Sequence, residues 1–427
     1  MKNVVIIGCG AAGMMAAAAA AREGAQVTVL EMGRKPGRKL LLTGNSRCNL
    51  TTLDPDLYDK YASLEDGSCS AFVRTVSDQF SVRDTLNLFE EFGLLTAAEH
   101  ETWVYPVTGK SESVLGVLLG ELKRLKVKLK YNVEVTEISR QDNMWQVHTD
   151  GWSYPCDSVV IACGSRAVPS TGSNGSGYEL CRGLGLDVTD ILPALTAVRC
   201  RLAREDCRPF TPGALAGKTG EDEMRSVQAG DLLPLASGTR TAACVSVYAD
   251  GVLLAQERGQ VQFTQTGVSG IVIFNMSRCT GRALHEGKDV SMVLDLLPDI
   301  PKEKLAGTLE RLRRNRPDES MRDLLTGILA PGLIPLFETE TDPAAAAGQI
   351  KAMELQVLGH RDFDNCQVCA GGVRLTELYP RTMECVRSDL RGIHIAGELA
   401  DVDGPCGGYN LQWAWASGYI AGRHAAS

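Results

Sequence analysis

Residues 3–31 read NVVIIGCGAAGMMAAAAAAREGAQVTVLE. The stretch opens with a short β-branched run, as a buried strand does. It then places Gly8, Gly10 and Gly13 in the spacing G-x-G-x-x-G, continues in a small-residue helical segment, and ends in a second strand closed by Glu31. Strand, glycine turn, helix and strand in that order make a βαβ unit of a parallel sheet. The first glycine permits the tight turn, the second lets a pyrophosphate approach the backbone, and the third lets helix and strand pack closely. Free N–H groups and the helix dipole favour an anion at the helix N-terminus. An acid at the end of the second strand, here Glu31, can accept hydrogen bonds from a ribose. A plain tight turn beside a chance acid does not account for the whole order. The alanine run after the turn reads as close packing.

The rest of the chain bounds this reading. At 427 residues it exceeds one ordinary core, so two or three domains are expected. Hydrophobic content of 44% and charged content of 22% are those of a soluble globular protein. A net charge of −8 disfavours a broad nucleic-acid or anionic-membrane surface. Fourteen cysteines are scattered without framework spacing. A strand pattern starts at Asn3, where a signal peptide would stand, so reduced thiols in a cytoplasmic protein are expected. The longest apolar run is cut by Arg22 and Glu23, too soon for a membrane span.

The glycine fingerprint alone does not separate FAD from NAD. Two features favour FAD. GRKLLLTGNSRCN, residues 37–49, follows Glu31 closely and suits a track for a long cofactor. A late strand ends in Gly397-Glu398, and a helix begins after GPCGGYN, residues 404–410. A flavin needs its ribityl chain and ring held, and a second helix N-terminus stabilises negative charge near the reduced ring.

Between these ends the pattern changes twice. Ser111 to Arg124 has helical spacing; KVKLKYNVEVTEI and MWQVHT alternate as a pair of strands; DSVVIACGS is a short buried-type strand. From Pro193 to about Pro298 alternating β-branched residues suggest an inserted β-rich domain. From Lys302 to Leu358 the pattern is helical and partly basic, and LERLRRNRPDES reads as a solvated helix face rather than an RNA-binding patch. The C-terminal strand, loop and helix then close the first domain.

The motifs GRKLLLTGNSRCNLT, YPVTGKSESV, STGSNGSGY, FTQTGVSG, CAGGVRLTELYPRTME and AGELADVDGPCGGYNLQWAWASGYIAG occur in order from end to end. Together they resemble the BaiN/aminoacetone-oxidase-type family of bacterial NAD(P)/FAD-dependent oxidoreductases. The resemblance implies an α/β fold: a Rossmann-like FAD-binding domain of the two-dinucleotide-binding flavoprotein type, with an inserted β-barrel-like domain and a small helical domain. The expected boundaries are 1–192 and 367–427 for the FAD domain, 193–298 and 353–366 for the β-rich domain, and 299–352 for the helical one. It further implies that Gly8, Gly10, Ala12 and Gly13 hold the pyrophosphate and that Glu31 binds the adenosine ribose. Lys39, Thr43, Gly44, Asn45, Arg47, Cys48 and Asn49 would run along the pyrophosphate and ribityl chain. Val135 would offer its backbone to adenine, and Gly164 would close that side. Gly397, Glu398, Gly407, Gly408, Tyr409, Asn410 and Leu411 would hold the ribityl chain and the ring.

The chain departs from the family pattern at four places. Ser46 stands where glycine is common, Cys163-Gly164-Ser165 where Thr-Gly-Gly is common, Gln265-Thr266 where His-Trp is common, and Cys406 where threonine is common. Cys366 and Cys369 form C-x-x-C with no second pair, so buried thiols are expected and no metal site. Cys48 is the one cysteine in a plausible redox position, with packing as the expected role, and Trp413 and Trp415 read as core.

The implied activity is reduction of a conjugated C=C in a 3-oxo steroid of bile-acid type, with NAD(P)H as a transient reductant, since no second glycine fingerprint is present. Tyr409 is the candidate proton donor. Oxidation of a small amine such as aminoacetone is the alternative, and a flavoprotein acting on tRNA is an alternative of another class. The expected partner is a small-molecule substrate, with neither nucleic acid nor membrane; the oligomeric state is left open.

Overall fold

The computed structural model describes residues 1–64, 67, 69–203 and 233–427; part of the expected β-rich stretch, 204–232, lies outside the described residues. The chain forms two compact units, one of Met1–Leu192 with Gln367–Ser427 and one of Pro193–Cys366.

The first unit is built on a five-stranded parallel sheet. Its order is Ile393–Ile395, Ser158–Ile161, β1 (Asn3–Ile7), β2 (Gln26–Glu31) and Lys128–Tyr131. In register, Val5 lies beside Thr28 on one flank and Val159 on the other. Both faces of β1 are covered, which is why it reads as continuous VVII rather than as an alternation. The glycine turn leads into α1 (Ala11–Arg22), where nine consecutive residues from Ala12 to Ala20 are buried. The C-terminal helix, Tyr409–Ala425, packs on α1 with almost no side chain between them. A Cβ on Gly418 would stand 2.4 Å from the Ala12 carbonyl oxygen, and one on Gly422 2.1 Å from that of Ala16. The alanine run is therefore a packing surface. Trp413 and Trp415 are buried as well, and their indole N–H groups donate to the carbonyls of Gly397 at 3.0 Å and Leu50 at 2.9 Å.

KVKLKYNVEVTEI corrects the sequence reading. Its first part, Lys128–Tyr131, joins the parallel sheet beside β2, and only Val135–Gln141 pairs with Met144–Thr149. The chain turns between them at Asn132, whose φ is +55°. The Val133 N–H donates to the Glu31 carbonyl at 3.0 Å and ties this turn to the end of β2.

The second unit holds a closed antiparallel barrel. Its strands run Val198–Leu202, Gly267–Ser269, Val252–Thr264, Arg240–Ala249, Val290–Asp295 and Met353–His360 around the ring. The last of these corrects the helical reading that ran to Leu358. Met353, Leu355 and Val357 are buried and alternate with Glu354 and Gln356, a period of two that fits a strand. Helices Lys302–Asn315, Met321–Leu325 and Pro343–Lys351 share one hydrophobic cluster with the barrel, in which Leu305, Leu309, Leu325 and Ile350 join Val245, Phe263 and Leu294. The basic run lies on this helical part as a solvated face: Arg316 pairs with Glu319 at 3.4 Å and Arg322 with Glu338 at 2.7 Å. Among the described residues no helix is long and apolar enough to cross a membrane.

Two buried histidines make stability depend on pH. Burial depresses His394 to about 4 against the hydrogen bond between its Nδ1 and the Thr382 carbonyl, and burial followed by the Arg199 charge depresses His360 to about 4. Each is neutral when folded, whereas the unfolded chain takes up a proton near pH 6.5. Their stabilisation is complete above that value and is lost as pH falls towards 4, where each costs on the order of 3 kcal/mol. Urea melts between pH 7 and 4 should show this fall, and His394→Gln should flatten it by about half.

Candidate cofactor and active site

The site lies at the carboxyl end of the parallel strands, in the first unit. Gly8 has φ +102°, and a Cβ there would stand 2.5 Å from the Ala162 carbonyl oxygen; one on Gly13 would stand 2.0 Å from the Gly8 carbonyl oxygen. Both glycines are thus required by close backbone approach. Gly10 differs: a Cβ there meets nothing within 4 Å, so it borders open space at the start of α1. That helix has Gly10 as N-cap and no side-chain cap, which leaves its first N–H groups directed at the same space. Glu31 sits beside the turn. Its carboxylate accepts the Cys9 N–H at 2.9 Å and the Gly33 N–H at 2.7 Å, which fixes it while leaving lone pairs for a further donor.

Three more segments close on this turn. The Gly37 N–H donates to the Cys9 carbonyl at 2.9 Å and so starts α2 (Arg38–Ser46) beside it. Gly164, with φ +74°, follows the strand Ser158–Ile161. Gly397, with φ +71°, lies so close to α1 that its Cβ would stand 2.8 Å from that of Ala12. Lys39, Ser165 and Glu398 meet there. The Lys39 ammonium pairs with the Glu398 carboxylate at 2.5 Å, and the buried Ser165 hydroxyl donates to the same carboxylate at 2.7 Å. Ser165 is a participant that the sequence reading noted only as a departure from the family pattern.

The segment GRKLLLTGNSRCN, expected to track a long cofactor, is helical at first and then turns sharply. Thr43 is extended, Gly44 and Asn45 have φ +56° and +54°, and Ser46 and Cys48 have φ +64° and +60°. The turn is held by the Arg47 N–H on the Gly44 carbonyl at 3.1 Å and the Cys48 N–H on the Thr43 carbonyl at 3.0 Å. Ser46 therefore occupies the left-handed conformation that glycine favours: the departure in sequence leaves the backbone in the glycine geometry. The Arg47 guanidinium is taken by Glu99 and lies 4.2 Å over the Tyr105 ring. Burial pushes the Cys48 thiol up to about 12, against a smaller opposing hydrogen bond with Thr43, so it stays protonated at neutral pH.

Thr51, next along the chain, brings this track to the C-terminal helix. A Cβ on Gly408, φ +96°, would stand 2.5 Å from the Thr51 carbonyl oxygen, and one on Gly407 2.6 Å from the Trp103 indole nitrogen. The Thr51 hydroxyl donates to Gln412 Oε1 at 2.7 Å, and Gln412 Nε2 is buried without a hydrogen-bond partner among the described residues. Asn410 and Gly404 exchange two hydrogen bonds, at 2.9 and 2.8 Å, which shape the GPCGGYN turn. Leu411 is half-buried beside it. The Tyr409 ring is buried edge-on to Tyr61, and its hydroxyl donates to Asp54, which also pairs with Lys60. Burial first and then Asp54 raise the Tyr409 phenol. Burial raises Asp54, but hydrogen bonds from Lys60 and Tyr409 outweigh it and hold the carboxyl below its usual value. Asp54 lies outside the quoted motifs, and Gln412 lies within the last of them without having been read as a site residue. Val135 begins its strand as a buried residue, four positions past the Tyr131 that pairs with Glu31.

An open cradle at an uncapped helix, a fixed acid at the end of β2, and an orphaned buried amide at a second helix start fit an extended dinucleotide such as FAD. Fold and site together define a Rossmann-type dinucleotide-binding protein. The profile of the HI0933-like protein Rossmann domain matches residues 2–424, and the chain belongs to that family. It is 38% identical to the 3-dehydro-bile acid delta(4,6)-reductase of Clostridium scindens, over 100% of this chain and 99% of the relative. It is 28% identical to the ribosomal RNA dihydrouridine synthase of Escherichia coli, over 99% of this chain and 97% of the relative. Among solved structures it resembles a 3-ketosteroid-delta4-(5alpha)-dehydrogenase from Rhodococcus jostii, with a TM-score of 0.48 and 16% identity, over 100% of this chain and 97% of the other.

The left-handed Ser46 has a direct test. Ser46→Gly relieves about 1 kcal/mol of local strain and returns part of it as unfolded-state entropy, for a net gain of ~0.5 kcal/mol. Ser46→Val adds a β-branched side chain at positive φ and should cost more than ~1 kcal/mol. Thermal melts of the two variants should move in opposite directions.

Proposed function

We propose that the protein is an NAD(P)H-linked, FAD-dependent reductase of a carbon–carbon double bond conjugated to a carbonyl, and that its substrate is a 3-oxo steroid of bile-acid type. The end-to-end 38% identity to a 3-dehydro-bile acid delta(4,6)-reductase carries this reading. The dihydrouridine synthase relative supports the same reaction class. Making dihydrouridine saturates a ring C=C conjugated to a carbonyl, which is also the reactive element of a steroid enone. The two substrates share little else, so the common part of the fold is suited to delivering hydride to an activated alkene.

In this reading Gly8, Gly10, Ala12 and Gly13 present the α1 N-terminus to the pyrophosphate, and Glu31 accepts from the ribose. Lys39, Thr43, Gly44, Asn45, Arg47, Cys48 and Asn49 form the track, and Val135 and Gly164 flank the adenosine end. Gly397, Glu398, Gly407, Gly408, Asn410 and Leu411 hold the ribityl and ring end. Bound FAD supplies a two-electron carrier able to pass hydride to carbon. The chain must supply the proton. Hydride addition to the β-carbon leaves enolate charge on the carbonyl oxygen, and a positioned O–H stabilises it and protonates the product. Tyr409 holds such an O–H. Its phenol is neutral at working pH, and when the hydroxyl turns to substrate, Asp54 stays compensated by Lys60.

The protein should purify yellow, and Glu31→Ala should raise the FAD dissociation constant about tenfold or more in a fluorescence titration. Under anaerobic stopped flow, NADH or NADPH should bleach the flavin, and a steroid enone should restore its colour. Tyr409→Phe should slow the enone step by about a hundredfold and leave nucleotide reduction unchanged. A protein that neither nucleotide reduces is not this reductase. The second relative favours ribosomal RNA as the other substrate. Against it stands the net charge of −8. Reoxidation by ribosomal RNA and not by enones would transfer the reading to RNA.

A further inference from the structure

Lys39, Ser165 and Glu398 come from three separate segments, and each is anchored to the glycine turn through the backbone. The chain before Lys39 is tied to Cys9, the strand before Ser165 presses its Ala162 carbonyl against Gly8, and the residue before Glu398 touches Ala12. The cluster therefore stands beside the place prepared for the pyrophosphate. Its members are unevenly restrained. The Lys39 and Glu398 side chains are 24% and 18% exposed, so solvent reaches both, whereas Ser165 is fully buried. Ser165 is also held on every side. Its hydroxyl oxygen accepts the Ala167 N–H at 3.2 Å and the Lys39 ammonium at 3.4 Å, its carbonyl accepts the Ser173 hydroxyl at 2.8 Å, and its hydroxyl proton is left for Glu398. Among the described residues the rigid partner of the carboxylate is thus this serine.

That matters because of charge. A dianionic pyrophosphate attracts Lys39 and repels Glu398. A carboxylate free to swing would take Lys39 with it or present bare negative charge to the phosphates. Pinned by Ser165, it keeps to one edge of the ammonium, whose second proton points to the Ser165 oxygen at 3.4 Å and whose third is left to face the cofactor. A glycine at position 165 would offer no hydroxyl for this.

We propose that Ser165 is a positioning residue of the cofactor site: by fixing Glu398 it sets the orientation of Lys39 and thereby the rate at which FAD leaves. The inference rests on the FAD reading of the site. Ser165 acts through Lys39, which it meets directly at 3.4 Å and also holds through Glu398.

The test is a double-mutant cycle on FAD release, followed by the rise in flavin fluorescence when holoenzyme is diluted far below the FAD dissociation constant. Ser165→Ala should speed release about five- to tenfold, since its hydrogen bonds to the Glu398 carboxylate and the Lys39 ammonium are lost. In a Lys39→Met background, the same substitution should change the rate less than twofold, because the ammonium it orients is gone. A purely structural role would lower the thermal midpoint of the apoprotein and give the same acceleration in both backgrounds, and that result overturns the proposal. So does an unchanged or slower release from Ser165→Ala. Failure of the wild-type protein to bind FAD is a separate result, which removes the reading beneath the proposal; FAD binding with no Ser165 effect removes the proposal alone.

Discussion

The backbone contact between α1 and the C-terminal helix is the constraint on which the first unit depends. Two glycines one turn apart, Gly418 and Gly422, let that helix settle onto the carbonyls of Ala12 and Ala16. Any side chain at either position would push the axes apart. The consequence is reached at the other end of the helix. Its start, with Gly407, Gly408 and Tyr409, is placed beside Thr51, while Trp413 and Ser417 hold Gly397 by hydrogen bonds at 3.0 and 2.9 Å. Segments nearly 400 residues apart in sequence, the first turn of α1 and the GELAD strand end, are thereby brought to one edge of the sheet.

How much of this was legible follows from where the information resides. The βαβ opening was legible because its glycines are demanded by local geometry: a left-handed turn and two approaches closer than any side chain permits. The barrel strands were legible from alternation, and Met353–His360 was misread only because its apolar residues continue a helical neighbourhood. Lys128–Tyr131 was assigned to the wrong partner, since alternation identifies a strand and says nothing about which sheet takes it. Within the site, motif glycines and Glu31 were legible, whereas Asp54, Gln412 and the bridging action of Ser165 were not. These three depend on tertiary partners 126 or more residues away: Tyr409, Thr51, and Lys39 with Glu398.

The charged groups of the site share a common arrangement. Glu31 is held by two backbone donors, Glu398 by Lys39 and Ser165, Asp54 by Lys60 and Tyr409, and Arg47 by Glu99. Each charge is compensated within the protein before any ligand is considered. A site arranged in this way presents oriented dipoles and part-used hydrogen-bonding groups rather than bare charge, and it needs little reorganisation when a ligand arrives.

The turn from Gly44 to Cys48 shows what such preorganisation costs. Asn45, Ser46 and Cys48 all lie at positive φ, where a non-glycine residue gives up about 1 kcal/mol each. Nothing in the local sequence repays this, since asparagine tolerates the conformation and serine and cysteine do so less well. The compensation is tertiary. Cys48 is fully buried, and the Asn49 amide, with its nitrogen towards them, donates to the Thr51 and Val104 carbonyls at 3.1 and 3.2 Å. Strain that is held by packing on both sides fixes a backbone path. Here that path leads from the end of α2 to Thr51 and on to the start of the C-terminal helix, so the strained turn is what joins the glycine-turn end of the site to the end that carries Tyr409.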